Sequence, residues 1–169
     1  MEVTVKPDWM MTEYATHLPV LAACVAHTSG PVLELGCGAY STPLLHALCV
    51  GRPLLSLEND LAWYSQFEHL TTGQHIVRLV QSPWEAADLG GPYDVVLVDH
   101  SPPLRRVQEI KRLRGMVRLF VVHDTENRCY EYEPVLTTFP HRVEWQRYAP
   151  WVSVVSDEDD LEWLRKALY

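Results

Sequence analysis

The sequence lacks any apolar run long enough to cross a membrane. Its most apolar window, residues 18–26, is far shorter than the roughly 20 residues that a transmembrane helix needs. A secretion signal is also missing at the start, because Glu2, Lys6 and Asp8 stand where a basic segment should precede an apolar core. We therefore expect a cytoplasmic protein that does not insert into a membrane.

Basic charge and paired cysteines are scarce as well. The chain has 14 Lys and Arg against 22 Asp and Glu, a formal net charge of −8. A broad interface with nucleic acid or anionic lipid is therefore not expected. The four cysteines, at positions 24, 37, 49 and 129, show no Cys-x-x-Cys spacing, and we interpret them as reduced thiols.

The chain has the length and apolar content of one domain spanning residues 1–169, since 47% of its residues are hydrophobic. Strand and helix signals alternate along most of it. The predicted strands are residues 31–35, 53–57, 76–80, 95–98 and 119–122, and the predicted helices are 12–27, 44–50, 61–70 and 104–113. Such alternation predicts an α/β fold with a parallel sheet covered by helices on both faces.

The C-terminal third breaks this alternation. Residues 143–148 and 151–155 both resemble strands, and only two residues separate them. Strands that are so close in sequence cannot be parallel neighbours, because a parallel crossover needs a dozen or more residues. The sheet should therefore end in an antiparallel pair, or in a pair that straddles one strand, before a C-terminal helix over residues 157–169.

The most informative segment is a glycine turn that follows the first predicted strand. Gly36 and Gly38 form a Gly-x-Gly turn, and glycines let the backbone approach a ligand closely. Ser41 or Thr42 is a suitable N-cap for the next helix. Glu58 ends the second strand, where a doubly wound fold places a carboxylate that accepts hydrogen bonds from ribose hydroxyls.

The turn fits some nucleotide ligands better than others. A nicotinamide dinucleotide would need a third glycine where Ser41 stands, so that the helix N-terminus can meet a pyrophosphate. A nucleoside ligand without phosphates does not need that glycine. The structural alternative is an ordinary tight turn near a solvated acid.

These segments resemble the class I S-adenosylmethionine-dependent methyltransferases. Residues 34–42 resemble the first motif of that family, residues 57–60 the second and residues 93–99 the fourth, and the match covers roughly residues 30–155. The chain is most similar to compact O-methyltransferases, from whose first motif Ala39 departs as one extra residue. The resemblance implies a three-layer Rossmann-like fold with a mostly parallel seven-stranded sheet and an antiparallel last strand.

The resemblance also implies S-adenosylmethionine as the cofactor and suggests where it binds. The residues implied at its methionine end are Glu34, Gly36 and Gly38, with Tyr40, Ser41 and Thr42 closing the turn. Glu58 would hold the ribose, and Asn59 would lie next to the adenine. Ser82 and Trp84 would border the adenine ring, Trp84 by stacking, while packing in the core is the alternative for Trp84.

Two neighbouring strand ends carry polar residues. Asp99 and His100 follow the fourth strand, and His123 and Asp124 follow the fifth. Parallel sheets bind ligands beyond the carboxyl ends of their strands, so we predict that these four residues are catalytic and that Asp99 also borders the cofactor. A histidine with a pKa near neutrality can deprotonate an acceptor hydroxyl, although a structural role fits each histidine as well.

A divalent cation such as Mg²⁺ is the alternative to a histidine base, because it acidifies a bound hydroxyl. By resemblance to metal-dependent O-methyltransferases, Asp99 and Asp124 are the implied ligands, and Glu126 or Asn127 could add an oxygen. The spacing leaves both alternatives open. The remaining histidines show no spacing typical of metal ligands, and they are His17, His27, His46, His69, His75 and His141.

Little of the chain is left to recognise a substrate. No insertion is large enough for a lid, so recognition is expected from residues 1–28, from the loops after strands four and five, or from a second subunit of a homodimer. The candidate side chains of the first segment are Trp9, Met10, Met11 and Tyr14. The basic run over residues 105–114 is either a solvated helix face or a patch for an acidic substrate or an RNA end.

We therefore predict O-methylation of a small-molecule or sugar hydroxyl. Methylation of RNA or protein is the alternative within the enzymes, but the net charge counts against RNA. Residues 99–102 also do not match the Asn-Pro-Pro-Tyr motif of amino-methylating enzymes. A methyltransferase-like module that binds without catalysis is the third hypothesis, and the intact motif residues make it the least favoured.

Overall fold

The computed structural model describes residues 13–169, so Trp9, Met10 and Met11 lie outside the described residues. The strands within this part of the chain are β1 (Val32–Leu35), β2 (Leu54–Glu58), β3 (His75–Leu79), β4 (Tyr93–Val98), β5 (Val117–His123), β6 (His141–Trp145) and β7 (Val152–Ser156). The α-helices are α1 (Leu18–His27), α2 (Ser41–Leu48), α3 (Leu61–Tyr64), α4 (Pro103–Leu113), α5 (Glu133–Leu136) and α6 (Glu162–Leu168). None of the helices in residues 13–169 is long and apolar enough to span a membrane.

The strands form one sheet in the order β3-β2-β1-β4-β5-β7-β6. Neighbouring strands from β3 to β5 are parallel, whereas β7 is antiparallel to both β5 and β6. The short link between β6 and β7 therefore makes a hairpin, and β7 enters the sheet between β6 and β5. This arrangement confirms the predicted fold class, and of the two predicted alternatives for the end of the sheet it shows the antiparallel pair and not the pair that straddles one strand.

Side chains of the central strands alternate between two cores. On β4, Val95 and Leu97 pack with α1, α2 and α6, whereas Val96 and Val98 pack with α4 and α5. Because helices cover both faces, β4 and β1 are buried along nearly their whole length, and this explains their continuous apolar runs. The four cysteines are free, and only Cys129 is exposed.

The helix predicted over residues 61–70 is wrong as a single element. It divides into α3 and a separate 3₁₀ turn at Glu68–Leu70. The amide of Phe67 bonds to Tyr64 O, three residues back, and this tighter winding directs the Phe67 ring into a small core with Cys37. Tertiary burial of one aromatic ring thus ends a helix that its sequence pattern would continue.

The first and last helices are shorter than predicted. α1 begins at Leu18, so that Pro19 lies in its first turn, where a proline costs no hydrogen bond, and does not kink it. α6 begins at Glu162, because Asp159 accepts a hydrogen bond from the amide of Leu161 and holds that residue in the left-handed conformation. Glu162 in its first turn and Arg165 and Lys166 in its last turn match the helix dipole.

Candidate active site

The glycine turn packs directly on the segment that follows β4. Gly36 has a φ of +91°, and a Cβ at this position would lie 2.7 Å from the backbone nitrogen and Cα of His100. Only glycine tolerates both this conformation and this approach. The turn therefore holds the ends of β1 and β4 together, with Asp99 beside it.

α2 is not capped in the way the sequence suggested. The helix begins at Ser41 with Tyr40 as its N-cap residue. The hydroxyl of Thr42 accepts a hydrogen bond from the amide of Gly38 at 2.9 Å and donates one to Glu34 Oε1 at 3.0 Å. The predicted N-cap role of Ser41 or Thr42 is wrong, since the Thr42 hydroxyl joins the turn to a buried carboxylate.

Glu34 lies beneath the turn and is fully buried. Its Oε2 atom lies 2.6 Å from Ser56 Oγ, which in turn lies 2.9 Å from His75 Nε2. Burial raises the pKa of Glu34 to about 7, against the opposing effect of the hydrogen bonds from Ser56 and Thr42. Glu34 therefore supports the turn from inside the protein and does not line either cavity described below.

Glu58 fastens the turn from the end of β2. Its Oε2 accepts a hydrogen bond from the amide of Cys37 at 2.9 Å, and its Oε1 accepts bonds from the amides of Asn59 and Asp60, both at 2.8 Å. Burial raises the pKa of Glu58, although these three amides oppose the shift. The side chain is therefore fixed at the carboxyl edge of the sheet.

A first cavity of about 400 Å³ opens at this edge. Gly36, Glu58 and Asp99 line it together, as the cofactor prediction requires, and Trp63 and His100 complete much of its wall. Its position beyond the ends of parallel strands is the usual ligand-binding position of such sheets.

Three predicted adenine neighbours lie elsewhere among the described residues. Asn59 and Ser82 are exposed and are not part of the cavity wall. Trp84 is only 4% exposed, and its indole N–H donates to Ser101 O at 2.9 Å. Trp84 therefore packs in the core against His100, which matches the alternative interpretation of this residue.

A second cavity of about 470 Å³ adjoins the first. Its wall contains Gly38, Tyr40 and Ser41 from the turn, Asp99, His123 and Asp124 from the strand ends, and Tyr14, His17, Arg106, Tyr130 and Pro150. Cys37, Trp63 and Asp99 line both cavities. The two spaces therefore form one cleft along the carboxyl edge, divided by the indole of Trp63, which donates a hydrogen bond to Cys37 O.

Arg106 holds the two strand ends together, a role that the sequence did not predict for it. Its NH2 atom lies 3.0 Å from Asp99 Oδ1, and its NH1 atom lies 2.8 Å from Asp124 Oδ2. NH1 also donates to Tyr132 Oη at 3.2 Å, and Nε donates to the His100 carbonyl at 2.7 Å. Although burial works to raise it, the neighbouring His123 and Arg106 hold the pKa of Asp99 below its usual value.

His123 has polar neighbours at both ring nitrogens. Its Nε2 lies 3.0 Å from Thr16 Oγ1, whose own proton is donated to Pro150 O at 2.7 Å, so Nε2 must carry a proton. Its Nδ1 lies 3.3 Å from Asp99 Oδ1 and 3.5 Å from Asp124 Oδ1. Burial works to lower the pKa of His123, but the two carboxylates raise it overall.

His17 and His100 are in the opposite situation. Neither ring has a hydrogen-bond partner within residues 13–169, and both are almost completely buried. Burial lowers the pKa of His17 to about 4 and that of His100 to about 3. Both rings are therefore neutral near pH 7, and the ring of His17 lies 4.7 Å from that of His123 in an edge-on contact.

The residues named for a Mg²⁺ site do not fit one. The guanidinium of Arg106 already neutralises both Asp99 and Asp124. The side-chain oxygen of Asn127 accepts a hydrogen bond from the amide of Cys129, and Glu126 accepts one from the amide of Trp151. The Arg106 guanidinium thus lies between the two aspartates, while the Asn127 oxygen is engaged within its own loop and one Glu126 oxygen is engaged by the residue before β7.

The arginines of the basic run over residues 105–114 are paired with acidic side chains, whereas Lys111 lies on the solvated face of α4. Arg105 and Arg112 both pair with Glu109, which is fully buried, and Arg114 pairs with Asp157. Arg106 points into the cleft instead. The one signal in the sequence was the position of Glu109, since residues three and four apart on a helix are neighbours.

Comparison with known proteins relates the chain to solved structures alone. No protein-family profile and no curated protein sequence matches it. A Klebsiella pneumoniae protein described as a proposed O-methyltransferase has a TM-score of 0.63 at 12% identity, over 84% of this chain and 79% of that chain. Cofactor-bound Rv0187 from MTB has a TM-score of 0.63 at 15% identity, over 94% and 84% of the two chains. The N-methyltransferase NodS from Bradyrhizobium japonicum WM9 has a TM-score of 0.60 at 13% identity, over 84% and 94%.

The chain has the class I methyltransferase fold. The named neighbours include an N-methyltransferase and a protein described as an O-methyltransferase, so the shared fold does not identify the acceptor atom. Within this methyltransferase fold, the cleft places the glycine turn and Glu58 at one end and the polar ends of β4 and β5 at the other.

Proposed function

We propose that this protein is a methyltransferase that transfers the methyl group of S-adenosylmethionine to a hydroxyl group of a small molecule or sugar. The observation that carries this proposal is the position of Asp99, which lines both cavities. A cofactor in the first cavity and an acceptor in the second would meet at its carboxylate.

The first cavity suits a nucleoside with a cationic tail. Glu58 offers a fixed carboxylate at the end of β2, and Gly36, which has no side chain, lines the same cavity with its backbone. Asp99 adds a second carboxylate, and its lowered pKa keeps it ionised near neutral pH. When bound, S-adenosylmethionine supplies a methyl group on a positively charged sulfur, so that the donor is already activated.

The second cavity suits a ring that carries hydroxyl groups. Its volume of about 470 Å³ lies within the roughly 300–1,000 Å³ of small-ligand sites. Tyr14, Tyr40 and Tyr130 give it aromatic walls, while Asp99 and His123 provide groups that can orient a hydroxyl. Positioning of this kind is the main contribution that a protein makes to an in-line displacement.

The acceptor proton has nearby groups to receive it. Asp99 is ionised and lines this cavity, as does His17, whose ring nitrogens have no hydrogen-bond partner in the part of the chain that the structure describes. The Nε2–H group of His123 donates to Thr16, and the Nδ1 atom of the same ring lies 3.3 Å from Asp99 Oδ1 and orients that carboxylate. In the reaction the carbon–sulfur bond breaks, a carbon–oxygen bond forms, and the hydroxyl proton leaves to this group of residues.

The paired basic run argues against RNA as the acceptor. A protein that binds RNA through a local patch needs unpaired positive charge. Arg105, Arg112 and Arg114 are each paired with an acidic side chain, so that Lys111 is the one exposed cation of the run without an ion pair in residues 13–169.

A transfer assay with a labelled methyl group tests the proposal. The purified protein is incubated with labelled S-adenosylmethionine and separate pools of phenols, sugars, RNA and protein, and calorimetry compares the binding of S-adenosylmethionine with that of NAD. We expect label in a phenol or sugar pool, lost in Asp99→Asn but kept in the exposed control Asp88→Asn. Tighter binding of NAD, label only in RNA or protein, or cofactor binding without any transfer would each overturn the proposal.

A further inference from the structure

We propose that His17, Asp99 and His123 form a binding site for a transition-metal ion of the zinc type in the wall of the second cavity. One ligand atom from each of the three residues lies within 4.8 Å of the other two. These residues come from the start of α1 and the ends of β4 and β5, so only the folded chain brings them together. The set shares only Asp99 with the carboxylate set that the sequence suggested. Because Arg106 contacts Asp99 Oδ1, the other oxygen, Oδ2, is the one left for the ion.

The first observation that points to a ligand is the environment of the His17 ring. The side chain is buried, with the residue only 2% exposed, and neither ring nitrogen finds a partner within the described residues. Buried polar atoms in folded proteins are nearly always bonded to something. His17 lines the same cavity as Asp99 and His123, and one of its ring nitrogens lies within 4.8 Å of a ligand atom of each, so a metal ion among them would satisfy that nitrogen.

The second observation is the hydrogen bond that orients the His123 ring. Histidines that bind metals usually donate their other ring N–H to a fixed oxygen, which orients the ring. Here Thr16 Oγ1 receives the Nε2 proton, and Thr16 itself is fixed by its bond to Pro150 O. Nδ1 is left facing Asp99 Oδ1 at 3.3 Å, and an ion bound there would displace the proton that lies between these two atoms.

The chemistry of the three donors selects the class of ion. Two imidazoles and one carboxylate suit Zn²⁺ and its first-row neighbours, whereas Mg²⁺ and Ca²⁺ prefer oxygen ligands. Bonds of about 2.0–2.2 Å would separate neighbouring ligand atoms by roughly 3–3.5 Å. The three ligand atoms, now within 4.8 Å of one another, must therefore move closer together when an ion binds. The His17 ring can turn toward the other two residues without breaking any side-chain hydrogen bond in residues 13–169.

Three protein ligands leave at least one coordination position open to the cavity. An acceptor hydroxyl bound there would be acidified and held near Asp99. This consequence rests on the proposed function, but binding of the ion does not, and the two can be tested separately.

The test uses the untagged chain, treated with a chelator and kept free of cofactor. Co²⁺ is titrated while visible absorption is recorded, and bound Zn²⁺ is counted after equilibrium dialysis. We expect one ion per chain, with Co²⁺ absorption typical of nitrogen and oxygen ligands that Zn²⁺ displaces and excess Mg²⁺ does not. His17→Gln should weaken binding at least tenfold, and Thr16→Val, which removes no ligand, by roughly 10–100-fold.

The matched control is His69→Gln, because His69 is exposed and distant from the cleft. Wild-type protein without the Co²⁺ signal, or equal affinities in His17→Gln and His69→Gln, would overturn the metal site. Thermal unfolding of each metal-free variant checks its folding, and Thr16→Val decides if His17→Gln does not fold. Calorimetry with S-adenosylmethionine separates the proposals: cofactor binding without Co²⁺ binding removes only the metal site, and the reverse result removes only the proposed function.

Discussion

The guanidinium of Arg106 lies 2.8 Å from Asp124 Oδ2 and joins α4 to the end of β5. The same group lies 3.0 Å from Asp99, and the arginine is only 6% exposed. One buried cation therefore balances two carboxylates that would otherwise repel each other across the cleft.

Replacing Arg106 with Met should lower the free energy of unfolding by about 3 kcal/mol, the low end of the range for a buried pair, because it leaves two partly buried carboxylates without their partner. Urea denaturation at neutral pH measures the loss. Arg147→Met is the control, since Arg147 is exposed and should change stability by less than about 0.5 kcal/mol. Adding Asp124→Asn to Arg106→Met should restore part of the stability, and a double variant no more stable than Arg106→Met would contradict the pairing.

Glu34 should make the protein less stable as the pH rises. Its pKa is raised from 4.5 to about 7, so the folded state holds a proton that the unfolded chain releases between these pH values. The free energy of unfolding should fall through this window, by about 3 kcal/mol in total from this group. Glu34→Gln should remove that fall.

Urea denaturation at pH 5 and pH 8 checks this prediction through the difference between wild type and variant. The comparison with the variant is needed because burial lowers the pKa of His75 to about 4. This shift alone would raise the free energy of unfolding as the pH rises through the same window. The exposed Glu68→Gln serves as the control. A difference between wild type and Glu34→Gln that does not change with pH would show that Glu34 is ionised throughout.

The antiparallel end of the sheet and the location of the cleft could be predicted because both depend on local pattern and chain connectivity. Two residues between β6 and β7 in the sequence pattern force a hairpin, and the buried run before Gly36 marks β1. Asp99 and His123 follow strands whose carboxyl ends must meet at one edge. Local pattern and connectivity are therefore enough to place these two residues at the same edge of the sheet.

Other parts of the site depend on tertiary contacts that no local pattern encodes. His17 lies far from His123 in the sequence, and only the packing of α1 against the sheet brings the two rings together. Arg106 is one of several arginines on α4, and which of them points into the cleft depends on the rotation of that helix. The burial of Trp84 likewise follows from its position under His100 and not from its spacing in the sequence.

Gly36→Ala should destabilise the protein and weaken cofactor binding together. A Cβ at Gly36 would lie 2.7 Å from the His100 backbone, and the residue has a φ that disfavours side chains, so a cost of about 1–3 kcal/mol is expected. Gly73→Ala is a matched control, since its Cβ would meet nothing within 4 Å. Thermal unfolding and calorimetry with S-adenosylmethionine measure the two effects, and equal behaviour of the two variants would contradict the close packing of the turn.

Trp63 should report ligand binding through its fluorescence. Its ring stands between the two cavities, and the side chain is held there by the bond from its indole N–H to Cys37 O. A ligand that enters either cavity must replace water against this ring, so its emission should change as S-adenosylmethionine is added. Trp63→Phe should abolish most of that change, whereas Trp163→Phe, which removes an indole stacked on His27 on another face of the fold, should keep it. If the change in fluorescence were as large in Trp63→Phe as in the wild type, the cofactor would not bind beside the Trp63 ring.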